Sequence, residues 1–561
     1  MKITVSGFAG AVNAPHPKLL PETAGTVSWN QKPGRGDFRP WREPLDVATV
    51  PAGRKTIYRF GRDVAEDGRY WFSWPGIVHA VRGMVADDTT ERTYYTGDGF
   101  PKWTDNTIAL AGGGSYPTAW RKLGVPAPAS ALTLQASGGS STATEVRYYV
   151  ATFVTDKGEE SAPGPVSLAL SCLTDAVVAI SNVQGPPSGA FTINRVRIYR
   201  TQTGASGDTE FFFLRELAAG VATTTDDGRA LGEVLETVDW LQPPEDLTAL
   251  TAMWNGMMAG ITGNAVRYCM AYKPYAWPLA FETLPPDAKP VALATFGQRL
   301  LVLTTANPVL VAGTSPDSLD EQPLEVGQSC VAPRAVVSFG HGVAWPAPDG
   351  LAYYGSAGAK LVTAGLLTRD DWQAMNPAGM VAGLYEGLYL TFFTDAGGAR
   401  RGFLVDPQNP SGIFFLEKGY DGLYLDALQD ALYVMDGTKV RKWDAGAALM
   451  SARFVSKVFG LPAPVSPAWC KVAADSYPVT IKLNALEMES REVARHIATY
   501  GSPRCVAVTS GNSSGVQFTL AAAGPEAFRL PAIASRAWQI EVAGQKAVQA
   551  VSLAQGVEEW R

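Results

Sequence analysis

The sequence predicts an all-β chain: a β-propeller interrupted by an inserted β-sandwich and followed by a small C-terminal β-sandwich. Three observations predict it. A short motif recurs, a tight turn followed by a hydrophobic residue and an aromatic: Asp349-Gly350-Leu351-Ala352-Tyr353, Glu386-Gly387-Leu388-Tyr389 and Asp421-Gly422-Leu423-Tyr424. The glycines at 350, 387 and 422 stand 37 and 35 residues apart, the period of a supersecondary unit used repeatedly. Glycine (57), proline (39) and the aromatics (15 Trp, 20 Tyr, 22 Phe) favour many short strands joined by tight turns. Finally, Thr93-Tyr-Tyr-Thr-Gly-Asp-Gly-Phe-Pro-Lys-Trp-Thr-Asp105 is worded like Tyr433-Val-Met-Asp-Gly-Thr-Lys-Val-Arg-Lys-Trp-Asp444. Asp-Gly between apolar runs is a hairpin signal, and its presence near both ends suggests that the first and last blades belong to one closed structure.

The 561 residues are too many for one core and imply about three or four domains at ~150 residues each. Residues 1–50 carry Pro15, Pro17, Pro21, Pro33, Pro40 and Pro44 with little periodicity. They are expected to form an extended arm that packs along its own body or a neighbouring subunit. Ile3–Val12 is interrupted by Thr4, Ser6 and Gly7, which suits a first strand better than a signal peptide. Residues 51–125 open the propeller with Lys55-Thr-Ile-Tyr-Arg-Phe60 and Arg69-Tyr-Trp-Phe-Ser-Trp74.

Residues 126–244 break the pattern between Pro126/Pro128 and Pro243-Pro244. About seven short strands are expected there, among them Asn194–Thr201, Glu210–Leu214 and Thr237–Trp240, a sandwich number. The wording Tyr149-x-Ala-x-x-Val-Thr-Asp-x-Gly-Glu-Glu-Ser-x-Pro163 resembles fibronectin type III domains, so a fibronectin III-like insertion at a loop is expected. Propeller segments resume over 245–450, with hairpins at Met258–Tyr268 and Ala294–Ala312, and Val336–Trp345 leading into the first turn motif. One helix stands out, capped by Thr368 over Arg369–Met375, with Asp371 where a capping box carries Glu or Gln. Residues 56–125 plus 245–450 accommodate roughly five to seven blades of ~40 residues. Pro462, Pro464 and Pro467 mark a linker, and 451–561 is expected to hold the second sandwich.

The net charge of −6 is mild but uneven: residues 1–62 sum to +6 and residues 126–250 to −8. Such asymmetry can bring complementary surfaces together. The five cysteines (Cys172, Cys269, Cys330, Cys470, Cys505) are isolated and odd in number, which argues against a disulfide framework or zinc site and for synthesis in a reducing cytoplasm. No apolar run reaches the ~20 residues of a membrane span.

Chemistry-bearing patterns are sparse. His16, His79, His341 and His496 lie outside ligand spacing of one another, and no phosphate-binding glycine loop occurs. Gly511-Asn-Ser-Ser-Gly515 matches a nucleophile elbow, but Val516–Leu520 after it is a strand, so a hairpin turn is expected. Asn512-Ser-Ser514 is also a glycosylation sequon, and Arg35-Gly36-Asp37 is a three-residue match to an integrin ligand. The acid pairs Asp87-Asp88 and Glu159-Glu160 stand beside turns, where solvated carboxylates are ordinary. No axial set of acids and arginines and no sialidase-type Asp-box emerges. The expectation is therefore no enzyme, no catalytic, metal or cofactor-binding residues, and no cofactor.

Several stretches resemble virion proteins of short-tailed bacteriophages and related prophages: His16-Pro-Lys-Leu-Leu-Pro21, Lys55-Thr-Ile-Tyr-Arg-Phe-Gly61, Thr89-Thr-Glu-Arg-Thr-Tyr-Tyr-Thr-Gly-Asp-Gly99, Pro348-Asp-Gly-Leu351, Leu367-Thr-Arg-Asp-Asp-Trp372 and Phe528-Arg-Leu-Pro531. They are short but span nearly the whole chain. The chain is similar to the tail nozzle, or tail tubular protein B-like, component of podoviruses. That resemblance implies a homo-oligomeric ring, a hexamer, below the portal and adaptor proteins. It also implies anchorage of tail fibres or spikes, passage of phage DNA without sequence-specific binding, and a place in the virion after synthesis in the host cytoplasm. A mildly acidic chain suits a DNA conduit, because basic patches would hold phosphates. Two readings compete: a receptor- or glycan-binding propeller of the tail-spike or lectin kind, and a propeller hydrolase with an axial acid cluster.

Overall fold

A computed structural model describes every residue except Met1, 62–65, 86–87, 114, 204–208, 287, 511–512 and Arg561. The fold is all-β, with blade sheets of the propeller type and sandwich modules. It divides into two compact units, Met1–Trp71 with Gln328–Arg561, and Phe72–Gly327.

The first unit contains three four-stranded antiparallel meanders. One runs Val337–Ser338, Gly342–Ala347, Gly350–Gly355, Gly358–Leu361; the next Val381–Tyr385, Leu388–Thr394, Arg400–Val405, Phe414–Leu416. The third runs Gly422–Asp426, Ala431–Asp436, Lys439–Lys442, and its fourth strand is Leu45–Thr49 from the beginning of the chain. The sheets begin at 337, 381 and 422, intervals of 44 and 41 residues. The turn–hydrophobic–aromatic motif is therefore out of step with them. It precedes the third strand of the first sheet, the second strand of the second and the first strand of the third. A turn ahead of an alternating strand serves equally at any of these positions. Glu386-Gly387 forms a two-residue hairpin with φ of 46° and 78° and Tyr385 paired to Leu388.

Residues 1–50 are not an appendage. Lys2–Val5 pairs with Val551–Ala554, and Leu45–Thr49 pairs with Lys439–Lys442. Gly25–Trp29 lies between two elements, parallel to Phe414–Leu416 at Trp29 and antiparallel to Ala452–Ser456. It thereby joins the second blade sheet to a run of Ser535–Gly544, Val479–Leu486, Ser513–Ala522 and Cys505–Ser510. A facing sheet orders Lys2–Val5, Val548–Ala554, Trp469–Ala474 and Phe528–Arg529. Ile3, Val5, Val472, Ile481, Ile540 and Val551 fill the space between the two, a sandwich core. An amide ladder crosses the larger sheet: Gln517 donates to Asn484 (2.9 Å), Asn484 to Gln539 (3.1 Å), and Gln539 to the Ser456 carbonyl (2.9 Å). Each buried amide is satisfied by a neighbouring strand, which pins the register. Part of the basic excess of the N-terminal segment is paired within this unit. Arg59 donates to Asp426 (2.9 Å), Arg39 to Asp37 (2.8 Å), Lys32 to Asp444 and Lys18 to Glu487.

Three local expectations change. The expected linker prolines Pro462 and Pro464 lie within the Phe459–Val465 strand, which pairs irregularly with Ser535–Gly544. Proline tolerates such an edge because no ladder donor is needed there. The capping box is complete despite Asp371: its Oδ2 accepts from the Thr368 N–H (3.2 Å), and Thr368 Oγ1 accepts from the Asp371 N–H (3.1 Å). A second helix, Ser490–Tyr500, packs Val493 and Ile497 against the C-terminal core.

The second unit also contains three meanders: His79–Arg82 to Arg121–Lys122, Thr248–Ala252 to Glu282–Thr283, and Pro290–Phe296 to Asp320–Pro323. Trp103, Met258, Val266, Leu300 and Val311 share one buried cluster. The two similarly worded stretches each form a hairpin, Thr93–Thr96 with Lys102–Thr104 and Ala431–Asp436 with Lys439–Lys442, in different units. Within 126–244 there are eight strands among the described residues, in sheets of three, two and three. Tyr149, Phe153, Val178, Ile180, Val196 and Ile198 pack between them.

The Gly25 backbone approaches so closely that a Cβ would stand 2.6 Å from the Val455 carbonyl oxygen. Gly25→Ala is expected to cost about 1–3 kcal/mol by forcing the strands apart, read as a lower urea midpoint. Deleting residues 1–45 is expected to leave the first unit without a cooperative unfolding transition, rather than a folded body lacking an arm.

Candidate binding cleft

The strand Tyr149–Thr155 turns at Asp156–Gly158 and returns through Glu159 and Glu160, where Ser161 N–H donates to the Phe153 carbonyl (2.9 Å). Gly158 takes φ 81°, the left-handed value the turn requires. The turn delivers two carboxylates to opposite duties. Glu159 accepts from Arg92 (2.6 Å), whose guanidinium also lies 4.0 Å from the Trp103 ring. Glu160 faces the next strand, Ile193–Thr203, where Arg195, Arg197 and Tyr199 alternate on one side. Glu160 Oε1 accepts from Tyr199 O–H and Thr152 O–H, both at 2.6 Å, and its Oε2 from Arg197 at 2.6 Å. Arg197 also donates to Glu216 (2.9 Å), its cross-strand partner. Glu159 and Glu160 are thus buried and paired, not solvated as expected. Of the other acid pair, Asp87 lies outside the described residues. Asp88 accepts from the Thr90 and Arg92 N–H groups and so closes a turn.

Burial raises the Tyr199 hydroxyl well above its ordinary value, reinforced by its hydrogen bond to Glu160. For Glu216 burial acts upward, but the hydrogen bonds from Arg197 and Arg195 prevail and hold the carboxyl below the usual range. Glu160, met by Thr152, Arg197 and Tyr199, fixes the orientation of those three side chains.

Beside this network opens a cleft of 490 Å³. Residues 232–235 lie along the Thr209–Ala218 strand, with Gly232 N–H donating to Phe213 O and Leu235 N–H to Phe211 O. Thr237–Trp240, expected as a strand, is a turn closed by Trp240 N–H to Thr237 O (3.1 Å). That turn brings Trp240 to the cleft, where its ring meets Tyr275 at 5.9 Å, while Tyr199 meets Phe213 at 5.9 Å. Tyr199, Phe213, Trp240 and Tyr275 supply aromatic faces, and Glu233 and Glu236 exposed carboxylates.

Elsewhere in the insertion a buried ion cluster fixes the sheets. Asp226, fully buried, accepts from Tyr149 O–H (2.7 Å), Arg200 (2.8 Å) and the Gly228 N–H (3.0 Å), with Arg147 at 3.6 Å. Burial pushes its carboxyl up, but these donors outweigh it and set it below the ordinary value.

The remaining sequence candidates stay apart. His341 packs between Phe339 and Tyr353, and His496 stacks on Tyr500. His16 accepts from the Lys18 N–H, and His79 belongs to a blade strand. Gly511 and Asn512 lie outside the described residues; the strands flanking them pair antiparallel, Ser510 opposite Ser513. In Arg35-Gly36-Asp37 the aspartate is held by Arg39. Among the described residues no group of three or more His, Cys, Asp or Glu side chains is arranged to hold a metal ion, and no helix is long and apolar enough to cross a membrane. Sequence reasoning passed over the cleft, although the alternation Arg195, Arg197, Tyr199 opposite a Glu-Glu turn was its signal.

No protein-family model and no curated protein matches the chain. Among solved structures it is similar to the WD40 domain of Toxoplasma gondii coronin, at 10% identity and a TM-score of 0.24, over 77% of this chain and 89% of that one. It is similar at 10% identity and a TM-score of 0.22 to Trypanosoma rangeli sialidase, over 94% and 97% of the two chains. For the extracellular domain of the one-component system BT4673 of B. thetaiotaomicron the values are 7% and 0.26, over 92% of this chain and 61% of that one.

Because the Asp226 carboxyl is depressed in the fold, the stability it contributes is present above the unfolded value of about 3.9 and is lost as pH falls through its native value. Asp226→Asn leaves Arg147 and Arg200 facing an uncharged group and is expected to cost about 3–5 kcal/mol at neutral pH. Thermal unfolding at pH 7 and below pH 4 should show that difference narrowing in acid.

Proposed function

We propose that the chain is a structural subunit of a short-tailed bacteriophage tail, a nozzle component that assembles as a homo-oligomeric ring, a hexamer, below the portal and adaptor. In this reading it conducts DNA without sequence-specific contacts, anchors fibres or spikes, and carries out no catalysis. What supports the reading is the role of the residues that carry the resemblance: they are packing and turn residues. Thr93–Thr96 is buried throughout; Trp372 is buried and donates to the Ala347 carbonyl (2.9 Å), tying its helix to the adjacent blade sheet. Phe528–Arg529 pairs with Trp469-Cys470 in the C-terminal sandwich. A likeness concentrated in scaffold residues fits a protein selected for shape and rigidity. The ion pairs at Asp226, Glu160 and Glu541 fit the same view, since each charge is held by arginine, lysine or tyrosine.

Electron microscopy of virions with antibody-labelled chain tests the reading. A six-fold ring with a central channel at the portal end is the expected result. A trimer at the fibre tips would favour the receptor- or glycan-binding propeller, and absence of the chain from virions would exclude both.

A further inference from the structure

We infer that the cleft in the inserted sandwich binds an uncharged oligosaccharide. This inference stands independently of the nozzle reading. The cavity of 490 Å³ lies within the range of about 300–1,000 Å³ typical of small-ligand sites. Its walls carry Tyr199, Phe213, Trp240 and Tyr275, and an aromatic face not covered by a protein cation stacks well on the C–H face of a sugar ring. Three further observations choose the ligand class.

Anionic ligands are disfavoured. The cleft's Arg197 is already satisfied by Glu160 and Glu216, and the exposed Glu233 and Glu236 would repel a second anion. Cationic ligands are disfavoured because protein cations already occupy ring faces. Lys273 Nζ stands 4.0 Å from the Trp240 ring centre, and the Arg197 guanidinium 5.9 Å from that of Phe213. What remains suits hydroxyl groups. Glu233 and Glu236 offer acceptors. Thr237, 4% exposed and lining the cavity, has an Oγ1 with no hydrogen-bond partner. A buried hydroxyl left unmet is costly, and a sugar hydroxyl can both donate to it and accept from it. Gly232 keeps the way to Phe213 open: a Cβ there would stand 3.0 Å from the ring.

The test titrates the full-length chain by calorimetry and tryptophan fluorescence with cellotriose, maltotriose and tri-N-acetylchitotriose, and with sialyllactose and the glucosamine trimer as charged comparators. At least one uncharged trisaccharide is expected to bind saturably at millimolar or lower concentration. The double variant Glu233→Gln/Glu236→Gln, at exposed positions, should weaken that binding about tenfold, the loss of charged hydrogen-bond acceptors. Val234→Trp, also at an exposed position, should abolish binding by filling the cleft while leaving the circular dichroism spectrum unchanged. Failure of all three uncharged sugars to bind, preference for a charged comparator, or undiminished binding by Val234→Trp would each overturn the inference. None of these outcomes depends on whether the chain forms a ring.

Discussion

The strand Gly25–Trp29 is hydrogen-bonded on both of its sides, and the first unit depends on that. On one side lies the last strand of a blade sheet, on the other the first strand of the C-terminal sandwich. Without it, both sheets would present open edges, the usual template for misassembly. The junction leaves little slack. Gly25 admits no side chain, Ser28 donates to Gln31, and Gln31 in turn donates to the Phe8 carbonyl (2.8 Å). Two further N-terminal strands add to the edges of other sheets, so the proline-rich beginning of the chain acts as a set of staples. Such pairings join residues hundreds of positions apart, which makes closing them entropically costly and cooperative once made.

The second unit solves a different problem, that of holding an insertion in register on a blade scaffold. It does so with buried charge rather than with long-range strands. Arg92 of a blade strand side reaches Glu159 of the insertion, and Asp226 gathers Tyr149, Arg200 and Arg147. Isolated buried charges are expensive; Asp226 is satisfied by several donors, which exchanges stability for a defined geometry. The cleft inherits that geometry because Glu160 locks Arg197 and Tyr199 before any ligand arrives.

Much of the fold was legible in the sequence because strand alternation and Asp-Gly turns are local signals. The hairpins at Met258–Tyr268 and Thr93–Thr104, the strand at Tyr149–Thr155 and the cap at Thr368 all follow from neighbours in the chain. What was not legible depended on distant partners. The prolines of residues 1–50 lie between that segment's three strands, whose partners are hundreds of residues away, and those at 462 and 464 fall in a strand paired irregularly with Ser535–Gly544 instead of in a linker. The recurring turn motif pointed to repetition, but its spacing did not match the blade interval because turns recur inside blades as well as between them. The cleft was hidden for a similar reason. Glu159-Glu160 looks solvated until Arg92 and Arg197 are seen to reach it, and Trp240 reaches the cavity only because Thr237–Trp240 turns instead of extending.

The staple account is tested most directly by native-state hydrogen exchange on the isolated full-length chain, read at the amides of Val27, Ser28, Trp29 and Asn30. Protection there comparable to that of the Val479–Leu486 strand, and lost with it in a single transition, is the expected result. Rapid exchange at those amides while Val479–Leu486 remains protected would show the N-terminal segment to be a detachable arm and would contradict the account.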